Sequence, residues 1–136
     1  SVRIADYEVL TGPLAGPCAR ITGSNVVLRA GVAPDRTGRA AVILGTHFQA
    51  ETMLIDFGCG RILAGGHELR GNHWHEIIRQ IGDLGGHAIV EAAPDPFKQA
   101  SDVFGAPRPE WKLMHRVKAV LDPKPIFSPG ALPGRV

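Results

Sequence analysis

Three arginines, Arg29, Arg61 and Arg79, are the residues of this chain best suited to grip a small anion. A guanidinium binds a carboxylate through two parallel hydrogen bonds, so an arginine held on a rigid element is a natural partner for an acid. The competing reading of each is a solvated charge on an exposed surface. His73-Trp74-His75 is the other tempting cluster. Histidines two apart point the same way on a strand and could share a metal, but on a helix they diverge by about 200°. No Asp, Cys or further His completes a ligand set at sensible spacing, so no metal is expected. Gly58-Cys59-Gly60 and Gly65-Gly66 are glycine-rich. Neither follows a strand and opens a helix, as a phosphate-cradling loop must, and both read as turns. Cys59 has no neighbouring base, no nucleophile elbow is present, and no catalytic residue is assigned.

The elements that would position these groups follow from periodicity. Asn25–Val32 is rich in β-branched residues and reads as a strand carrying Arg29. A weak helix from Asp35 to about Gly45 would turn Ala41, Val42 and Leu44 partly inward, with Gly38 costing it roughly 1 kcal/mol relative to alanine. Glu51–Gly58 and Arg61–Gly65 read as a hairpin joined at Gly58-Cys59-Gly60. Gly71-Asn72 opens the clearest internal helix, with Asn72 as its cap and Glu76 in the first turn. Trp74, Ile77, Ile78 and Ile81 form its apolar stripe. Gly82, Gly85 and Gly86 end it, and His87–Ala92 is the last strand. The order strand, helix, strand, strand, helix, strand predicts an α+β, ferredoxin-like split βαβ fold over residues 25–93. In that fold one antiparallel sheet carries two helices on one face.

At 136 residues the chain suits one domain, and 44% hydrophobic content is enough for a real core. Fifteen basic against 13 acidic residues give a net charge of +2, too weak an excess for a dedicated nucleic-acid binder. No apolar run approaches a membrane span, and no leader opens the chain, which begins with Ser1. Cys18 and Cys59 form no metal spacing and fit free thiols in a reducing cytoplasm. Residues 1–24, broken at Thr11–Pro17, read as a segment connecting from a preceding domain, with a short strand possible at Tyr7–Leu10.

Residues 94–136 read as a C-terminal helix and tail. Trp111, Met114, Val117 and Leu121 recur at helical spacing, with Lys112, His115, Arg116 and Lys118 mostly opposite. Pro123 stops the helix sharply, and Ser128-Pro129-Gly130 is a tight turn. The run Lys118-Ala119-Val120-Leu121-Asp122-Pro123-Lys124-Pro125-Ile126-Phe127-Ser128-Pro129-Gly130 resembles the C-terminal signature of FAD-linked oxidases. There a lysine-bearing helix leads to an Asp-Pro pair and then an Asn-Pro-Gly turn, where this chain has Ser128. Asp102-Val103-Phe104-Gly105-Ala106-Pro107 is similar to the D-V-W-G-x-P stretch of the E-type, FAD-binding subunit of glycolate oxidase. The likeness is specific from Phe97 to Gly134 and only architectural from Asn25 to Ala93.

The resemblance implies the cap portion of an oxidoreductase whose FAD takes a hydride from the α-carbon of a 2-hydroxy acid such as glycolate. It implies a sheet face turned toward the flavin, with Arg29 and Arg61 as substrate-binding residues. Phe127, Ser128 and Gly130 would meet the cofactor side as the tail packs on the flavin domain; the other reading of that tail is a helix cap and chain terminus. The FAD itself would sit in a separate domain of ~200 residues. The isolated chain is expected to hold no flavin tightly and to be inactive alone. Expected partners are that FAD-binding domain or subunit, other glycolate oxidase subunits and a second copy of the chain, in the cytoplasm or in a membrane-associated complex. A family metal segment, HxxxGDGNxH, is only faintly echoed by Gly82–His87, and no ligand is carried over. The alternative from another class is a stand-alone ferredoxin-like ligand-binding or oligomerisation module.

Overall fold

The computed structural model describes residues 24–105, 107–124, 126–129 and 132–133. The expected connecting segment before residue 24, the Tyr7–Leu10 strand, Cys18 and Gly130 lie outside the described residues.

Strand β1 (Val26–Gly31) is followed by a 3-10 turn (Pro34–Arg36) and helix α1 (Thr37–His47). The hairpin β2 (Thr52–Asp56) and β3 (Arg61–Gly66) comes next, then α2 (Gly71–Asp83) and β4 (His87–Ala92). Two further helices close the chain, α3 (Asp95–Ala100) and α4 (Trp111–Leu121). The sheet runs β2-β3-β1-β4, and every neighbouring pair is antiparallel. This is the split βαβ arrangement predicted from the order of elements.

Alternation along the strands divides the sheet into two faces. Val26, Leu28 and Ala30 of β1, Ile62 and Ala64 of β3, and Ala88 and Val90 of β4 point to the helix face. There they meet Ala40 and Leu44 from α1 and Trp74, Ile77 and Ile81 from α2, all buried in one continuous cluster. Each large side chain of that cluster contributes about 1.5–3 kcal/mol of transfer free energy before ordering entropy is charged. Trp74 is additionally satisfied, its Nε1–H donating to the Asp102 carbonyl at 3.0 Å.

Several local expectations are corrected. Val42 is 68% exposed, because α1 begins at Thr37 and puts Ala40 and Leu44 on the buried stripe instead. The α2 cap is Arg70, in extended conformation and without a side-chain cap bond. Trp74 N–H already donates to the Arg70 carbonyl, so Asn72 lies within the first turn and cannot cap it. Glu76 is consequently two residues further in, beyond the first turn, where it pairs with Arg79 and accepts a bond from Gln80. The first hairpin strand is bounded more tightly than predicted, β2 spanning only Thr52–Asp56, while β3 runs one residue further, to Gly66. Helix α3, begun by a proline at its first turn, was not predicted.

Candidate functional site

The face of the sheet away from α1 and α2 carries the candidate chemistry. Its rows can be read across the strands from the register. Asp56, Arg61, Gly31 and His87 form one row on β2, β3, β1 and β4. Leu54, Leu63, Arg29 and Ile89 form the next. Val27 and Leu63, with Leu54 against them, make a small second apolar cluster beside these rows. This face is therefore polar and accessible toward Arg61 and His87, while Val27 and Leu63 at its apolar end are buried, so it is not the continuous bare apolar surface expected of an uncovered cap sheet.

Arg29 and Arg61, far apart in sequence, converge on one open cavity of about 290 Å³. It is lined also by Cys59, His87, Gly85 and the β1 end from Ala30 to Val32. Arg79 does not join them. It lies on α2, paired with Glu76 and Asp83 on the exposed side of the helix. Those contacts make it a solvated surface charge, and they hold the Glu76 carboxyl down at about 2.

Two turns fix the walls of the cavity. At the end of α2, Gly85 takes φ +70°, Gly86 N–H donates to the Ile81 carbonyl and Gly85 N–H to that of Gly82. These are the two bonds of a Schellman stop, which needs a residue free to be left-handed. The stop brings Gly86 so close to β1 that a Cβ there would fall 2.5 Å from the Gly31 carbonyl oxygen. His87 thereby starts β4 directly beside Gly31. In the hairpin, the Asp56 carboxylate accepts the N–H groups of Gly58 and Cys59. The Cys59 side chain and backbone donors, then Arg61, hold the Asp56 carboxyl below its usual range despite some desolvation. Gly60, at φ +68°, accepts the Val32 N–H on its carbonyl and so docks the turn onto β1.

Arg29 Nε is buried and lies 2.5 Å from Glu91 Oε1, an ion pair without hydrogen-bond geometry. Arg61 makes no ion pair among the described residues, although it is near enough to Asp56 to lower that carboxyl. Burial, and then the charges of Arg108 and Arg29, keep the His87 imidazole below its ordinary value. The cavity thus presents two guanidinium groups, one imidazole whose protonation is disfavoured and one exposed thiol on a scaffold of paired strands.

Phe127 and Ser128 are not part of this cavity; both are exposed in the turn after α4. His73 and His75 lie on α2, where they diverge, and His75 Nδ1 is 2.6 Å from the Gly71 carbonyl of its own helix. Among the described residues no cluster of three His, Cys, Asp or Glu is placed to hold a metal ion. His87 was missed as a site residue. Its signal was its place at the start of a strand right after a Gly-Gly stop, beside a strand ending in glycine. Comparison with known protein families, curated proteins and solved structures finds no match.

Proposed function

We propose that this chain is the cap portion of a flavin-dependent 2-hydroxy-acid oxidoreductase of the glycolate oxidase type, receiving the substrate carboxylate on its open sheet face. The observation that carries the reading is the meeting of Arg29 and Arg61 in one cavity on the face opposite the helices. Two guanidinium groups there can clamp a carboxylate while the α-carbon points outward, toward a flavin supplied by a separate FAD-binding domain or subunit. FAD supplies hydride acceptance when bound; the chain's own residues bind and orient the acid and keep water from one side of it. The tail from Lys118 to Phe127, which the resemblance places against the flavin domain, presents Ile126 and Phe127 outward.

The same uncovered tail, together with the outer face of α4, is where we place contact with that domain or with a second copy of the chain. No helix among the described residues is long and apolar enough to cross a membrane.

The test is to express the chain together with its flavin domain and assay glycolate-dependent reduction of a dye acceptor. Activity that falls with Arg29→Ala or Arg61→Ala, chiefly through a raised KM, supports the reading. A product that binds anions but shows no flavin-dependent turnover would instead make the chain a stand-alone ligand-binding module.

A further inference from the structure

His87 and Arg61 face each other across a position that has no side chain. Gly31 is the register partner of both, so the three residues stand side by side on adjacent strands. His87 leans into the gap: a Cβ on Gly31 would stand 2.6 Å from its Cε1 and 3.1 Å from its Nε2. Arg29 is two residues back on the same strand and the same face, which closes a third side of the cavity.

The charged and titratable groups around the imidazole come from every neighbouring element. Arg29 faces it from β1, Arg61 from β3, Cys59 from the hairpin turn and Arg108 from the segment before α4. Glu91, on β4 itself, is engaged with Arg29, and Arg108 lies 3.5 Å from Glu110. Burial first, and then the charges of Arg108 and Arg29, make a proton on His87 unwelcome while no anion is present. An anion between Arg61 and His87 would oppose these effects, because a nearby negative charge favours the protonated ring.

We propose that His87 completes, with Arg61 and Arg29, a site for a small carboxylate, and that it takes up one proton from solvent as the carboxylate binds. No bond is made or broken beyond that proton transfer: carboxylate, neutral imidazole and a solvent proton become an imidazolium–carboxylate pair. Binding and protonation are then linked, each favouring the other by the same factor. The inference rests on reading the cavity as a carboxylate site, but not on the presence of a flavin domain.

Calorimetric titration of the full chain with glycolate, and with acetate as a second probe, tests it between about pH 5 and 8, the range in which a histidine titrates. Repeating each titration in two buffers of different ionisation enthalpy counts the protons. The expected result is affinity that falls as pH rises, by up to about tenfold per unit, with up to one proton taken up per site. His87→Gln should bind glycolate with the pH dependence gone, and Arg61→Gln should bind at least about tenfold more weakly at every pH. The wild-type His87 Cε1–H resonance provides a readout independent of any variant's folding: its titration midpoint should rise when glycolate is added. Affinity that is flat across pH, a slope that survives in His87→Gln, or no glycolate binding at millimolar concentration would overturn the proposal. Proton-linked binding without flavin-dependent oxidation would defeat only the oxidase reading. Oxidation with pH-independent binding would defeat only this one.

Discussion

The Lys118 ammonium and the Asp122 carboxylate, one helical turn apart at the end of α4, pair with each other and together clamp the turn that follows. Asp122 Oδ1 accepts the Ile126 N–H and Oδ2 the Phe127 N–H, each at 3.0 Å, while Lys118 Nζ donates to the Phe127 carbonyl. The signature that marks the C-terminal resemblance is therefore, mechanically, a stop and a staple. It ends the helix, buries one carboxylate and turns Ile126 and Phe127 outward.

That staple makes a first prediction. Its hydrogen bonds, Lys118 first, hold the Asp122 carboxyl below its ordinary value of 3.8. A depressed carboxylate contributes stability that is present above the ordinary value and lost as pH falls through the folded one. Asp122→Asn should speed amide exchange at Ile126 and Phe127 while leaving the amides of β1 and β3 protected. Wild type should lose the same local protection only as the pH drops below about 4. Unchanged exchange in the variant would mean that the turn is held by something else.

Ser128 offers a second. It occupies φ +45°, a region where a serine is strained and glycine or asparagine is at ease. Asparagine is also the residue that the resemblance expects at this position. Ser128→Gly or Ser128→Asn should leave the core untouched and tighten the turn, by about 0.4–1 kcal/mol at most. Protection of the Phe127 amide is the direct measure, and a loss of protection would contradict it.

The sheet and its two covering helices were legible because period-2 and period-3.6 patterns each named a buried face. Trp74, Ile77 and Ile81 are buried as their spacing requires, and so are the alternate residues of β1. What periodicity could not show was register. Only the pairing of Gly31 with both Arg61 and His87 puts those residues in one row. Arg29 and Arg61 were nameable as chemical types, but their meeting depends on the pairing of β1 with β3, and His87 joins them only through the close approach of Gly86 to Gly31. The α2 start misled for a related reason. Asn72 is a good cap by type, yet burial of Leu69 and Trp74 fixes where the first turn closes.

Core and surface positions of the helices should separate sharply. Trp74→Ala removes the largest fully buried side chain and the bond to Asp102, and should cost about 3–5 kcal/mol. Val42→Ala, at an exposed site on α1, should stay within about 0.5 kcal/mol of wild type. Denaturant midpoints at constant slope decide both. A large loss at Val42 would mean that another surface covers α1.

The pH dependence of folding in the absence of ligand has its own sign. The His87 imidazole lies below its ordinary value of 6.5, so the unfolded chain binds more protons there than the folded one. Stability should accordingly fall as pH drops below about 6.5, and His87→Gln should flatten that limb. Added glycolate should oppose the fall, because the imidazolium then has a partner. A limb equally steep in His87→Gln would assign the effect to other groups, the depressed carboxylates Asp56 and Glu76 being next in line at lower pH.

Helix α4 carries the last prediction. Trp111 is its one buried residue among those described, whereas Val120 is 80% and Leu121 76% exposed. Leu113, Met114 and Val117 are exposed as well, and Phe127 in the clamped turn is 71% exposed. The stripe that periodicity marked as an inward face is thus left without a cover from the described part of this chain. Scattered apolar residues on a surface are ordinary, but this many on one short helix and its turn make a contiguous patch of the kind that meets a partner. Symmetric twofold pairing is the commonest outcome for such a surface when no other partner is present. The purified chain should therefore self-associate at micromolar concentration by light scattering. Val120→Lys with Leu121→Lys should shift it to monomer without lowering the melting temperature, since neither side chain supports the core. When the flavin domain is co-expressed, the same pair of substitutions should weaken that association instead, if the domain takes the place of the second copy. A wild-type chain that stays monomeric, and a complex indifferent to both lysines, would show that the patch has no role in assembly.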